Sequence, residues 1–354
     1  MFECRIAVVA SAVFVLAAHC HAAVFCLSDS AAIADALVQA QGNGEDDDLQ
    51  IQVGSYAPPG AIGSFYFAEI GHAITIEGGF HTPEGGPACS EHSDDAALTV
   101  IDGGGSKPLL RIDSATGSGD ITVRKLTFRN GRAAGISAPL ELLGAGANTV
   151  TLENAIVQGN VGDFFQSMYY VPAVWVAGEK GGIAIRNVLF VQNDAPAGVW
   201  SILVTHQQNA GPGVVFNNVT VTGNGANSGF PGVEFDVEGG LSIANSIFWG
   251  NASADLGIVQ NNGTILLDHN DIGVRTGSAP GVEISTVSVD PAFVSATDFC
   301  VDANSLLRDA GNSAAEGGVG ITDVNGGARI TFAAIDIGAC EVTDDTLFHD
   351  GFDG

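Results

Sequence analysis

NAIVQGN (154–160), NVLFVQN (187–193), NVTVTGN (218–224) and NSIFWGN (245–251) align without gaps, each opening and closing on asparagine. Their starts are 33, 31 and 27 residues apart. Looser copies flank them, KLTFRNG at 125–131 before and NDIGV at 270–274 after. Recurrence at this interval is the signature of stacked supersecondary units. Upstream of each opening Asn the pattern has period two. Val150, Ile183, Val214 and Leu241 stand four residues before it, and Leu152, Ile185, Phe216 and Ile243 two before. Mixed residues lie between, among them Glu153, Arg186, Asn217 and Ala244. That alternation describes a strand with one buried face. Glycines precede each strand and mark turns, as at Gly181-Gly182 and Gly239-Gly240.

Each unit therefore reads as a strand, an Asn corner, a second short strand, another Asn and a variable loop. No unit contains a convincing amphipathic helix after its strand, which argues against an α/β protein. Equivalent strands must then stack in parallel. The predicted fold is all-β: a single-stranded right-handed parallel β-helix with an N-terminal capping helix and a non-repeating C-terminal cap. Asn154, Asn160, Asn187, Asn193, Asn218, Asn224, Asn245 and Asn251 are expected to form inward-facing ladders, each amide bonding its neighbours one rung above and below. The regularity is structural on this reading.

An open coil exposes strand edges at its ends. Ser28–Gln41 offers a cover: a helix with Ile33, Leu37 and Val38 on one face and Gly42 as its stop. Irregular strands are expected at 49–53, 64–68 and 73–77, and LTVIDGGG (98–105) leads into the first clear rung. The predicted organisation is a signal segment (1–22), an N-terminal cap with irregular rungs (23–97), the repeats (98–289), a C-terminal cap (290–341) and an acidic tail (342–354).

The 354 residues include 48 Gly and only 2 Met, a composition suited to many short strands and turns. Net charge is −28, from 12 Lys plus Arg against 40 Asp plus Glu. Such a surface repels phosphate backbones, so no nucleic-acid partner is expected. At the N-terminus, Arg5, the apolar run Ile6–Ala18 and small residues up to Ala22 or Ala23 read as a secretory signal. The run is too short to span a bilayer comfortably, and no transmembrane segment is expected in the mature chain. The expected location is secreted or on the outer cell surface. Removing Cys4 and Cys20 with the signal leaves Cys26, Cys89, Cys300 and Cys340. An even number in an oxidising compartment predicts two disulfides, with three connectivities open. Clustering favours Cys26 with Cys89 and Cys300 with Cys340, one staple near each end. The CxxC pairs of a thiolate metal site are missing.

Toward the C-terminus come Asp290-Pro291-Ala292-Phe293, Asp298-Phe299, Asp309-Ala310-Gly311, Asp336-Ile337-Gly338-Ala339 and Glu341. This series resembles the closing module of choice-of-anchor Q domain proteins, which are bacterial surface or secreted β-helix proteins. LTVIDGGG followed by LTFRNG is similar to the entry rung of that family and of polymorphic outer-membrane proteins. Cys340 stands where the family commonly has an aromatic residue, and Leu306-Leu307 replaces its usual serine-proline. The terminal LFHDGFDG resembles short sorting signatures on exported bacterial proteins. The resemblance implies a cell-surface location and anchoring, and no particular reaction.

Two groups of side chains could carry chemistry. Glu234, Asp236 and Glu238 in VEFDVE alternate with Phe235 and Val237, so the three carboxylates are expected on one outward face. Paired carboxylates can perform glycoside hydrolysis, and they can also hold Ca²⁺. A lyase would need cations beside them, and only Lys180 and Arg186 precede the row nearby. The second group is aromatic. Phe164, Phe165, Tyr169, Tyr170 and Trp175 lie in the long insertion after Asn160, and Trp200 and His206 in the next loop. Tyr169, Tyr170, Trp175 and Trp200 are the candidates for stacking on sugar rings. Burying one another to seal the loop is the alternative. His269 lacks any metal-ligand spacing, and Asp323-x-Asn325-Gly326 lacks the downstream Glu of a Ca²⁺ loop. Apart from Ca²⁺ at the carboxylate row, no metal or cofactor is predicted. The expected function is an exported or cell-surface scaffold, adhesive, structural or glycan-binding without catalysis, whose partner is an extracellular polysaccharide or a surface protein. The alternative is a polysaccharide lyase or glycoside hydrolase acting on an extracellular glycan.

Overall fold

A computed structural model describes residues 22–60, 63–68, 71–114, 119–166, 168–207, 213–260, 262–331 and 334–343. The signal segment up to residue 21 and the terminal LFHDGFDG lie outside the described residues.

Two long parallel sheets dominate. Along its main path sheet 1 runs Ala23–Leu27, Asp47–Gln52, Ile74–His81, Ile121–Arg129, Val150–Gln158, Ile183–Val191, Val214–Thr222, Leu241–Ala244, Ile265–Asp268 and Val282–Ile284. Sheet 2 runs Phe65–Ala68, Leu110–Ser114, Leu140–Gly144, Val174–Gly178, Ile202–His206, Val233–Val237, Leu256–Gln260 and Arg275–Gly277. From Leu110 onward the chain visits the two sheets alternately, and each strand pairs in parallel with its equivalents one circuit earlier and later. The chain thus winds as a stack of rungs. The strands of sheet 2 occupy the stretches that the repeat pattern reads as variable loop.

The predicted inward positions are in the core. Val150, Leu152, Ile183, Ile185, Val214, Phe216, Leu241 and Ile243 are at most 1% exposed, and they belong to one apolar cluster running from Leu27 to Ile272. Phe190, Phe216 and Phe248 stack within it, with Phe235 edge-on from sheet 2.

Corner geometry explains the asparagines. The opening position of each repeat has a left-handed backbone: φ is 45° at Asn154, 51° at Asn187, 54° at Asn218 and 49° at Asn245. In the flanking rungs Lys125 and His269 hold the same place, with φ of 56° and 54°. Asn tolerates this region better than most residues. A second left-handed residue precedes each closing Asn: Gly159, Gln192, Gly223 and Gly250.

The closing row is the inward ladder. Asn160 Nδ2 donates to Asn193 Oδ1 (2.9 Å), Asn193 to Asn224 (3.0 Å) and Asn224 to Asn251 (3.1 Å). Each Nδ2 of Asn160, Asn193 and Asn224 also donates to a main-chain carbonyl of the preceding rung. The opening row departs from the expected arrangement. A left-handed corner turns its side chains outward, where they hold a segment from far along the chain. Asn154 Nδ2 donates to Thr322 Oγ1 and Asp323 O, Asn187 to Val319 O and Thr322 O, Asn218 to Asp336 O and Gly338 O, and Asn245 to Asn312 O. Only Asn187 to Asn154 remains as a rung-to-rung bond within this row (3.2 Å).

The held segment, residues 309–331 and 334–341, does not close an end of the coil. It descends the flank as a strap, from Asn312 beside Asp268 to Val324, whose carbonyl accepts from Ala96 N. It then returns to Gly338, whose N–H donates to Asn245 O. Arg329 is fully buried at its centre, donating to the carbonyls of Ala339, Asp336 and Gly338. Asp336 accepts from Asp309 N and Val342 N, and Asp323 accepts from Glu341 N and Gly327 N. Asp336 and Glu341 Oε2 of the acidic motif are thus held by main-chain N–H groups of Asp309, Asp336 and Val342. Disulfides join Cys26 to Cys89 and Cys300 to Cys340. The second lies against Ile156 and Leu189, mid-coil rather than near an end.

The helix spans Ser30–Asn43, with Asp29 Oδ1 accepting from Ala31 N and Ala32 N (2.9 Å each). Its stop is Gly44 (φ 73°) rather than Gly42. Ile33, Ala36, Leu37 and Ala40 are buried against the first rungs; Val38 is exposed. At the opposite end, Arg275 and Glu283 continue the inward rows of Leu256 and Leu267 and pair at 3.1 Å. Inward-pointing charge at a last rung discourages further strand pairing.

Candidate functional site

With one flank covered by the strap, the outer face of sheet 2 becomes the place to look for chemistry. Its register sets two outward rows. One carries Arg111, Glu141, Trp175, Leu203, Glu234 and Gly257; the other carries Asp113, Leu143, Ala177, Thr205, Asp236 and Val259. Trp175 and Glu234, 59 residues apart in sequence, thus stand in one row two rungs apart, on the order of 10 Å at about 4.8 Å per rung.

The insertion after Asn160 forms a small antiparallel hairpin, Asp163–Phe165 with Tyr169–Val171. Its rings start a continuous aromatic chain. Phe164 stacks on Tyr170 (4.8 Å between centroids), Tyr170 meets Trp200 edge-on (6.0 Å), and Trp200 stacks on Phe230 (4.6 Å). Trp200 Nε1 then donates to Glu234 Oε1 at 2.8 Å. The aromatic and acidic candidates, separate in the sequence, meet at this bond. Phe164, Tyr169 and Tyr170 are 37%, 51% and 54% exposed, an unusual position for three large rings on one hairpin.

Trp175 plays a different part. It packs with Phe165 against Ala133, Ala138 and Val171, and its N–H donates to Thr205 Oγ1 (3.2 Å). It anchors the base of the hairpin instead of joining the exposed rings. His206 is buried, its Nε2 2.8 Å from Gly181 O, and belongs to the core.

Glu234 and Asp236 share the outward face, as the alternation requires. Burial raises the Glu234 carboxyl, the Asp236 charge adds to this, and the Trp200 hydrogen bond opposes it. Asp236 is exposed. Glu238 follows the strand's last residue, in a turn where its N–H donates to His206 O, so it is not part of the strand row. The cations named by the sequence do not approach these acids along the rows. Arg186 is on sheet 1, bonded to Gly317 O and Glu153, and Lys180 lies in a turn beyond Gly178. Arg124 and Lys125 also belong to sheet 1, where both grip Glu77 (2.7 and 2.6 Å). Within the two outward rows, Arg111 is the cation, held by Asp113 (3.1 Å) and Glu141 (3.2 Å). Glu141 is 1% exposed, and burial pushes its carboxyl up to about 7 against the pull of Arg111. Sequence reasoning missed Glu141, because nothing local distinguishes LELLG from other short strands.

Among the described residues, no cluster of His, Cys, Asp and Glu has the geometry of a metal site, and no helix is long and apolar enough to cross a membrane. No family model, curated protein or solved structure matches the chain.

Proposed function

We propose that the protein is an exported or surface-held right-handed parallel β-helix that binds a glycan on the outer face of sheet 2, without catalysis. The observation that carries this reading is the ring chain Phe164, Tyr170, Trp200 and Phe230, partly exposed and ending on the Glu234 carboxylate. Aromatic faces beside oriented polar groups suit sugar rings. Right-handed winding is supported by the strong bias of parallel crossover connections. The helix Ser30–Asn43, with its apolar face in the first rungs, acts as the cap on this reading. The two disulfides favour an oxidising compartment. The resemblance to choice-of-anchor Q proteins fits the strap, in which Asp336 joins Asp309 and Glu341 and Arg329 holds the Gly338 carbonyl.

A glycan array with the mature chain and a Tyr169→Ala/Tyr170→Ala/Trp200→Ala variant tests the reading. Binding by the wild type that the variant loses supports it; no binding by wild type, or equal binding by both, overturns it.

A second reading is favoured by one observation: Glu234 is raised by burial while Asp236, beside it, is exposed. Carboxylates in contrasting environments are the pattern of a glycoside hydrolase acid and its partner. Release of reducing ends by wild type, lost in both Glu234→Gln and Asp236→Asn, would establish it. The lyase form lacks support, since the rows bring no cation to these acids.

A further inference from the structure

We propose that the glycan taken by this face carries protonated amines, as a glucosamine polymer does. This inference rests on the glycan-binding reading and adds the ligand's charge. The rings define where a sugar would lie; the charges around them define which sugar is tolerated.

Three observations converge. First, among the described residues no ion pair joins a cation to the acids around the ring chain. Glu234 and Asp236 lie on the outward rows, Glu238 follows them and Asp163 opens the hairpin, whereas Arg111, the cation of these rows, is consumed by Asp113 and Glu141. A uronic acid would meet carboxylates with no free cation in these rows to receive it. Second, the exposed faces of Phe164, Tyr169 and Tyr170 offer π-electron density, which attracts ammonium groups as well as stacking on pyranose rings. Third, Trp200 N–H fixes the Glu234 carboxylate beside its ring, so an aromatic face and an anion are presented together. An amine-bearing sugar uses both, a neutral sugar only the first. The rung spacing of about 4.8 Å is close to the length of one sugar unit, so successive sugars can meet successive rungs. The whole-protein charge of −28 favours the same sign of ligand at long range.

The test is titration calorimetry of the mature chain at pH 6 with four probes: glucosamine hexamer, N-acetylglucosamine hexamer, galacturonate hexamer and polylysine. The glucosamine hexamer is expected to bind about tenfold or more tighter than its N-acetylated form, with no detectable galacturonate binding. Glu234→Gln/Asp236→Asn should abolish the preference, lowering glucosamine affinity to that of the N-acetylated hexamer. Tyr170→Ala, a change at an exposed ring, should weaken both hexamers. Equal affinity of the wild type for the two hexamers, with loss in Tyr170→Ala, would overturn the amine preference and leave glycan binding standing. Polylysine binding as tight as glucosamine, unaffected by Tyr170→Ala, would show unspecific charge attraction and overturn the inference. If no hexamer binds, this inference and the glycan reading fall together.

Discussion

The two asparagine rows share residue type and spacing, and all their members but Asn251 are buried, yet they do opposite jobs. The closing row bonds to itself: Asn160, Asn193, Asn224 and Asn251 pass one hydrogen bond up the stack and saturate carbonyls inside it. The opening row bonds to something else, the strap between 309 and 341. The difference is that burial does not reveal direction. An amide can be buried because it lies in a core or because another segment covers it, and the two cases respond differently to substitution.

The largest expected effect is in the closing row. Asn193→Leu takes the Asn193 side chain away from Val157 O and from the main-chain and side-chain N–H groups of Asn160, all inside the stack, while Asn224 Oδ1 keeps the Asn193 main-chain N–H. A loss of about 4 kcal/mol is expected in urea denaturation, with the whole coil unfolding as one transition. Arg329→Leu strikes the strap. It strands Asp323, Asp336 and Glu341 beside each other, at an expected cost of about 3 kcal/mol. Hydrogen exchange should rise through 309–341 while both sheets stay protected; uniform loss would erase the distinction between rows.

The strap should also respond to pH. Burial, more than any neighbour, pushes the Glu341 carboxyl from 4.5 up to about 7, and Arg329 only partly offsets it. A folded value above the unfolded one means the contribution is present below about pH 4.5 and is lost as pH rises through about 7. Strap protection should therefore be greater at pH 5 than at pH 8, and Glu341→Gln should reduce that difference, by about 2 kcal/mol. The smallest effect belongs to a single opening Asn. Asn187→Ala loses the strap bonds and strains the left-handed corner, about 2 kcal/mol, whereas Asn187→Gly relieves the corner and should cost about 1 kcal/mol. Equal melting temperatures for these two variants would refute the corner argument.

Sheet 1 was legible in the sequence because its two Asn corners and alternating apolar positions repeat in register. Sheet 2 was less so. Strands such as VWVAG and ILVTH are five residues long and lack a landmark residue, so they read as loop. The direction of the opening row could not be read locally, because its partner lies 67 to 169 residues away. For the site, the period-two rule placed Glu234 and Asp236 on one face. Their meeting with Trp200 depended on the path of the loop before Ile202–His206, the strand one rung earlier. Proximity in sequence groups Trp175 with the exposed tyrosines, yet alternation within its own strand aims it at the hairpin base.

The strap has a consequence for heredity. It bonds five consecutive rungs directly, from Asp268 back to Asn154, and reaches a sixth through Ala96, a span of about 24 Å. Repeat proteins commonly change length by duplicating a unit. Here one duplicated rung would shift every later corner by about 4.8 Å relative to a tether of fixed length. The strap therefore acts as a ruler for the rungs it spans, whose number changes in step only when two distant parts of the gene change together.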